Sequence, residues 1–336
     1  MAEIKKGKSQ KHHIVPRSYL DQWRTKSTQL EIFLHKKGQI VQKGPNWSGF
    51  KKKDYNIFDS DDDYYLPERV TEDVDGQGIV VLRNIDSNRG LTGYERSVLA
   101  HYTALQYVRT PRFREETNAF MDANIKEWFL EDQKSKTDKE ILQFKIEIES
   151  ESYTDPKDIE AIKKIKAMSN IEFIKLHREE AEKPSYSFIL NRFGHSKFIL
   201  KIPEKARGIY EFQWMLLQAP DNTSFVTSDN PCFAVPKEES DLGVGLFSPN
   251  GYVIFPLRPD LCLMIDPQQR GRYEIPIKLN RKHVKEVNQM ILKNSYDVVV
   301  AKDKTHLKSL TKDYQHVWSR NVEKKKIGDY TLFALK

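Results

Sequence analysis

Cysteine is scarce. Cys232 and Cys262 are the only two in 336 residues, too few for a disulfide framework, so a hydrophobic core must hold the fold. Both lie in apolar, strand-like runs, where buried free thiols are expected. Long hydrophobic runs are also missing. No stretch approaches the about 18 apolar residues of a membrane-spanning helix, so no membrane partner is expected. The first residues, Met1 to Lys11, are polar and basic with no apolar segment. That pattern is not a secretory signal, and with the low cysteine content it leads to the expectation of a cytoplasmic protein. There is no Gly-x-Ser-x-Gly elbow and no Gly-Lys-Ser/Thr phosphate loop, which disfavours a serine hydrolase or a P-loop enzyme. Internal repeats and low-complexity tracts are absent too.

What is present is charge. The formal net charge is +7, and the positive side chains cluster early: Lys5, Lys6, Lys8, Lys11, Arg17 and Arg24, then Lys36, Lys37, Lys43, Lys51, Lys52 and Lys53. A phosphate-binding footprint and a solvated basic surface both read this way. Nucleic acid is therefore one candidate partner.

Hydrophobic periodicity assigns an α+β fold: an N-terminal short helix and β-hairpin, a helical middle and a β-rich C-terminal half. Residues 1–11 read as a flexible basic arm and 12–336 as one domain, with parts 12–90, 91–183 and 184–336. Pro16 suits a first helical position, and Tyr19, Leu20 and Trp23 then share one face. Residues 29–34 and 39–42 read as two strands joined by a turn at Gly38. Asp54–Phe58 reads as a short strand, and Asp59–Asp63 as a solvated acidic turn whose sixth and twelfth positions, Tyr64 and Val70, do not fit a calcium loop. From Pro67 the pattern is helical. Glu68, Glu72 and Asp75 then share a face, as a surface charge stripe or a set of metal-facing carboxylates. Thr92–Glu131 reads as one or two long helices with a break at Thr110-Pro111, because the residue before proline is pushed out of helical geometry. Residues 136–183 read as a charged helical hairpin or arm. Beyond Pro184 the aromatic and β-branched runs, including Phe198-Ile199-Leu200, read as strands, interrupted by a helix at 281–293.

Three places carry chemistry. His12 and His13 sit just before a helix start. They offer metal ligation, a general base beside a bound phosphate, or a structural imidazole. Gln106 and Arg109 are three apart on one helix face, and Arg109 suits either a carboxylate or phosphate clamp or a helix-end cap. In Thr227-Ser228-Asp229-Asn230-Pro231 a β-run ends in a polar turn. There Asp229 serves as ligand or base with Asn230 orienting it, or both build the turn through backbone bonds.

His12-His13-Ile14-Val15-Pro16 resembles the first motif of the His-Asn-His metal-dependent nucleases. In that superfamily one histidine polarises water and a second group holds the metal. Here Asn46 and Asn56 follow, but no histidine stands between His35 and His101, so the later part of the pattern is missing. A broader resemblance covers most of the chain. The ordered set is His12-His13-x-x-Pro16-x-x-Tyr19-Leu20-x-x-Trp23, Gln106-x-x-Arg109-Thr110-Pro111, Thr227-Ser228-Asp229-Asn230-Pro231 and Phe255-Pro256-Leu257. It resembles the bacterial domain-of-unknown-function family 4238, with Trp23 where phenylalanine is expected. The resemblance implies one family domain and brings no activity with it. From the separated motifs we expect His13, Gln106, Arg109, Asp229 and Asn230 to line one pocket. The expected function is metal-assisted phosphodiester cleavage. His13 and His12 act as base or ligand, Asp229 and Asn230 complete the catalytic set, and Arg109, Gln106 and Arg17 bind substrate. A divalent metal is held by His12 and Asp229. The alternative is a non-catalytic nucleic-acid- or protein-binding module.

Overall fold

The computed structural model describes residues 11–25, 28–53, 66–86, 89–152, 156–182, 187–190, 192–238, 243–271, 273–312, 314, 322–327 and 330–335. The arm at 1–10, the strand expected at 54–58 and the acidic turn at 59–63 lie outside them. The chain forms two compact units, one of residues 1–117 and 190–336, the other of residues 118–189.

The larger unit opens with strand β1 (Lys11–His13) and helix α1 (Arg17–Leu20). Pro16 sits one position earlier than expected, as the N-cap, with its carbonyl accepting from Leu20 N. The hairpin follows as β2 (Leu30–Leu34) and β3 (Gln39–Lys43), and Gly38 takes the left-handed φ of 58° that the turn needs. Next come β4 (Lys51–Lys53), α2 (Leu66–Asn84) and α3 (Gly93–Val108). Helix α3 begins with a Thr92/Glu95 capping box. Helix α4 (Pro111–Ser135) starts directly after the break at Thr110.

The smaller unit holds the rest of α4 with α5 (Asp138–Ser150), α6 (Pro156–Ala167) and α7 (Asn170–Glu182). The expected hairpin at 136–183 is therefore three helices. Pro156 opens the middle one, where its missing N–H costs nothing.

Returning to the larger unit, α8 (Arg192–Leu200) and α9 (Ile202–Glu211) replace the strand expected at Phe198-Ile199-Leu200. Ile199, Ile202, Ala206 and Ile209 are all buried. That spacing of three and four is helical, and reading the short apolar run alone hid it. The β-rich part then gives β5 (Phe212–Gln218), β6 (Thr227–Ser228), β7 (Phe233–Pro236), β8 (Gly251–Arg258), β9 (Leu261–Arg270) and β10 (Glu274–Lys278). It ends with α10 (Arg281–Asn294), β11 (Val298–Ala301), α11 (Lys304–Thr311) and the hairpin β12 (Val322–Ile327) and β13 (Tyr330–Leu335).

One sheet has the order β10-β5-β9-β8-β7 and a second β3-β2-β11-β6, with β1-β4 and β12-β13 as separate pairs. The main core joins Tyr19, Leu20 and Trp23 of the N-terminal motif to α2, α3 and the first sheet. Cys232 and Cys262 are buried free thiols. Among the described residues no helix is long and apolar enough to cross a membrane.

Candidate active site

The N-terminal motif is anchored by its aromatic residues. Tyr19 O–H donates to Pro256 O at 2.6 Å. With that proton committed, the Thr227 hydroxyl donates to the Tyr19 oxygen at 2.7 Å. Trp23 Nε1 donates to Phe225 O at 2.9 Å. The motif at residues 12–23 is thereby stapled to the Thr227 and Pro256 motifs, by structure rather than by shared chemistry.

The histidines lie on β1, which pairs antiparallel with β4 so that His13 stands opposite Lys51. Directly opposed residues share a face. His12 is buried, with Nδ1 3.5 Å from Glu68 Oε2. His13 is half-buried, and its Nε2 has no hydrogen-bond partner among the described residues. Burial, then the positive charges of Lys51, Arg109 and Arg17, depress its pKa from 6.5 to about 4. The imidazole is consequently neutral at pH 7, inside a ring of cations.

Arg109 is fully buried at the end of α3. Its Nη1 donates to Asp75 Oδ2 at 2.8 Å and its Nη2 to Gln106 Oε1 at 2.9 Å. Gln106 Nε2 closes the network on Asp75 Oδ1 at 3.3 Å. These bonds join Arg109 to a carboxylate of the chain itself rather than to a ligand. Burial raises the pKa of Asp75, and the Arg109 charge opposes that rise. Gly78 makes the contact possible. An added Cβ there would lie 2.3 Å from Tyr102 Cδ2, so glycine lets α2 press this close to α3. Tyr102 is on the same α3 face as Gln106 and Arg109, and it interacts electrostatically with Asp75 and Arg109. Its hydroxyl and Arg109 Nε are buried and without hydrogen-bond partners among the described residues.

The carboxylate stripe on α2 is only partly a surface feature. Glu72 is exposed, but Glu68 and Asp75 are half-buried and engaged with His12 and Arg109. Asp75, Glu68 and Lys51 were visible in the sequence as charges without a destination. Tyr102 was not singled out. Its signal was the spacing 102, 106, 109 along one helix face.

The structure thus brings together His12, His13, Gln106 and Arg109, with the exposed Arg17 near enough to act on His13 by charge. It places Asp229 and Asn230 in a different network. Asp229 Oδ1 accepts from Tyr296 N at 2.8 Å and Oδ2 from Asp297 N at 2.7 Å. Asn230 Nδ2 donates to Asn294 O at 2.8 Å, and its N–H goes to Ser228 Oγ. These side chains build the turn between α10 and β11. None of the interactions of Asp229 reaches His12, His13 or Arg109. Burial lifts the Asp229 pKa to about 7 against those backbone bonds. Among the described residues no group of three or more His, Cys, Asp or Glu side chains is placed to hold a metal ion.

A half-buried imidazole thus feels the charge of a buried Arg–Asp–Gln network, which also acts on Tyr102, in an α+β fold. Residues 11–305 match the family described as "Protein of unknown function (DUF4238)". The chain belongs to that family. No curated protein and no solved structure matches it.

Proposed function

We propose that the protein cleaves phosphodiesters, with nucleic acid as the substrate class and His13 as general base. The observation that carries this reading is that Arg109, and the His13 and Tyr102 side chains that its charge acts on, each hold a buried polar atom without a hydrogen-bond partner among the described residues. His13 Nε2 is an acceptor without a donor, while Tyr102 O–H and Arg109 Nε–H are donors without acceptors. Buried polar groups are rarely left so, and each exception calls for an explanation such as a catalytic role, a water or an ion. A phosphodiester and its attacking water are complementary to this set. The phosphoryl oxygens accept from Tyr102 and Arg109 and are attracted by Lys51 and Arg17, while the water gives its proton to the neutral imidazole. Arg109 is held in place by Asp75 and Gln106, so its charge needs no reorganisation when negative charge builds up on the phosphorus. His12, paired with Glu68, fixes the strand that carries His13. No step is routed through a metal.

The test is cleavage of single- and double-stranded DNA and RNA by the purified protein, with and without divalent metal ions. His13→Ala is expected to lower cleavage by about 100-fold or more, the range for a lost general base. Tyr102→Phe is expected to reduce kcat with the fold intact. Absence of any cleavage that His13→Ala abolishes overturns the reading. Salt-dependent nucleic-acid binding without turnover, unchanged in His13→Ala, is the signature of a binding module instead.

A further inference from the structure

A second site lies away from the histidines. In the larger unit a cavity of about 920 Å³ opens between α10, α11 and the start of β2, within the usual size of a small-molecule pocket of about 300–1,000 Å³. Its floor is polar and orders its own protons. Asn288 Oδ1 accepts from Val226 N at 2.9 Å, which fixes the amide so that Nδ2 is the donor. That Nδ2 reaches Ser224 O at 2.9 Å and His306 Nε2 at 3.2 Å. His306 Nε2 is therefore the acceptor, the ring proton sits on Nδ1, and Nδ1–H faces Ser224 Oγ at 3.4 Å. The hydroxyl proton of Ser224 is left to donate elsewhere. Glu31 also lines the cavity. It is 4% exposed, its Oε1 accepts from Gln42 Nε2, and its Oε2 has no partner among the described residues.

The rim has the opposite character. Arg281, Lys285, Lys302 and Lys304 line it and are exposed. Asp303, which caps α11, sets only one carboxylate against these four cations. Among the described residues no Phe, Tyr or Trp side chain lines the cavity. We infer that this cavity binds a phosphate monoester whose uncharged body carries hydroxyl or amino groups, with the phosphate on the cationic rim and the body donating to Glu31 and accepting from Ser224. A simple anion would leave Glu31 and the Ser224 proton unused. A neutral sugar or base would leave the cations uncompensated. A nucleoside and a sugar share the required body chemistry.

Isothermal titration calorimetry of the full chain with AMP, glucose 6-phosphate and inorganic phosphate tests this. At least one ester is expected to bind, and inorganic phosphate at least about tenfold more weakly, since hydrogen bonds to the body are worth about a factor of ten. Tighter binding of AMP assigns a nucleoside body, and tighter binding of glucose 6-phosphate a sugar. Ser224→Ala and Glu31→Gln should each weaken the ester about tenfold and leave inorganic phosphate unchanged. The exposed double variant Lys285→Glu/Lys302→Glu should abolish binding without affecting the fold, which keeps the test valid if Glu31→Gln does not fold. His13→Ala should bind normally, so failure here and failure of the catalytic reading are distinguishable. The proposal is overturned if neither ester binds, if inorganic phosphate binds as tightly, or if the Lys285→Glu/Lys302→Glu protein binds like the wild type.

Discussion

Arg109 Nη1 lies 2.8 Å from Asp75 Oδ2, joining the C-terminal end of α3 to the middle of α2. The guanidinium is fully buried and the carboxylate half-buried, with 0% and 17% of their side-chain surfaces exposed. Truncating one partner leaves a buried charge. Arg109→Met is therefore expected to destabilise the fold by about 3–5 kcal/mol in urea unfolding. The double variant Arg109→Met/Asp75→Leu should recover a large part of that loss. If the two single losses simply add, the pair is not coupled.

The close approach of α2 to α3 makes a second test. Alanine at position 78 would gain about 1 kcal/mol of helix propensity on an exposed helix. Here its Cβ would overlap the Tyr102 ring. Gly78→Ala is expected to lose about 1–3 kcal/mol, the cost of overpacking, and to displace Tyr102 from Arg109. A thermal shift toward greater stability would contradict this packing.

Two buried groups tilt stability with pH in opposite directions. His13 titrates at about 4 when folded and near 6.5 when unfolded. The unfolded chain takes up that proton first, so the neutral burial of His13 is lost as a stabilising term while pH falls from about 6.5 to about 4. Asp229 holds its proton up to about 7 when folded, against 3.8 unfolded. Its contribution is complete in acid and fades as pH rises through about 7. Across the shared window the slopes oppose each other. His13→Gln should make stability fall with rising pH there, and Asp229→Asn should make it rise. Chemical denaturation at pH 4.5, 5.5 and 6.5 reads both slopes.

Asp229→Ala separates structure from chemistry. It strands the N–H groups of Tyr296 and Asp297, at about 1–3 kcal/mol for each. The variant should melt earlier yet keep its cleavage rate per folded molecule at pH 7. A rate loss matching that of His13→Ala would return Asp229 to the reacting centre.

Periodicity made the long elements legible. The hairpin at Gly38, the start of α2 near Pro67 and the break at Thr110-Pro111 are written locally, as turn glycine, helical spacing and a proline restriction. Ile199 was misread because a three-residue apolar run has no period of its own. It becomes helical only together with Ile202, Ala206 and Ile209 across a proline. The spacing of Gln106 and Arg109 forecast their side-by-side placement. Their third member, Asp75, needed the α2–α3 crossing, which depends on a glycine meeting a tyrosine. Asp229 stood in a motif that read equally as ligand or turn-builder, and its two backbone donors come from residues 296 and 297, which no local pattern connects to it.

The central position of β11, paired on one side with β2 and on the other with β6, has a consequence for biosynthesis. The hairpin, made long before β11, has no inner neighbour until Val298–Ala301 leaves the ribosome. Distant pairings of this kind fold slowly, and the apolar flank of β2 stays uncovered meanwhile. A nascent chain stalled before Val298 should therefore be a substrate for chaperones or proteases, whereas one released past Ala301 can close its second sheet.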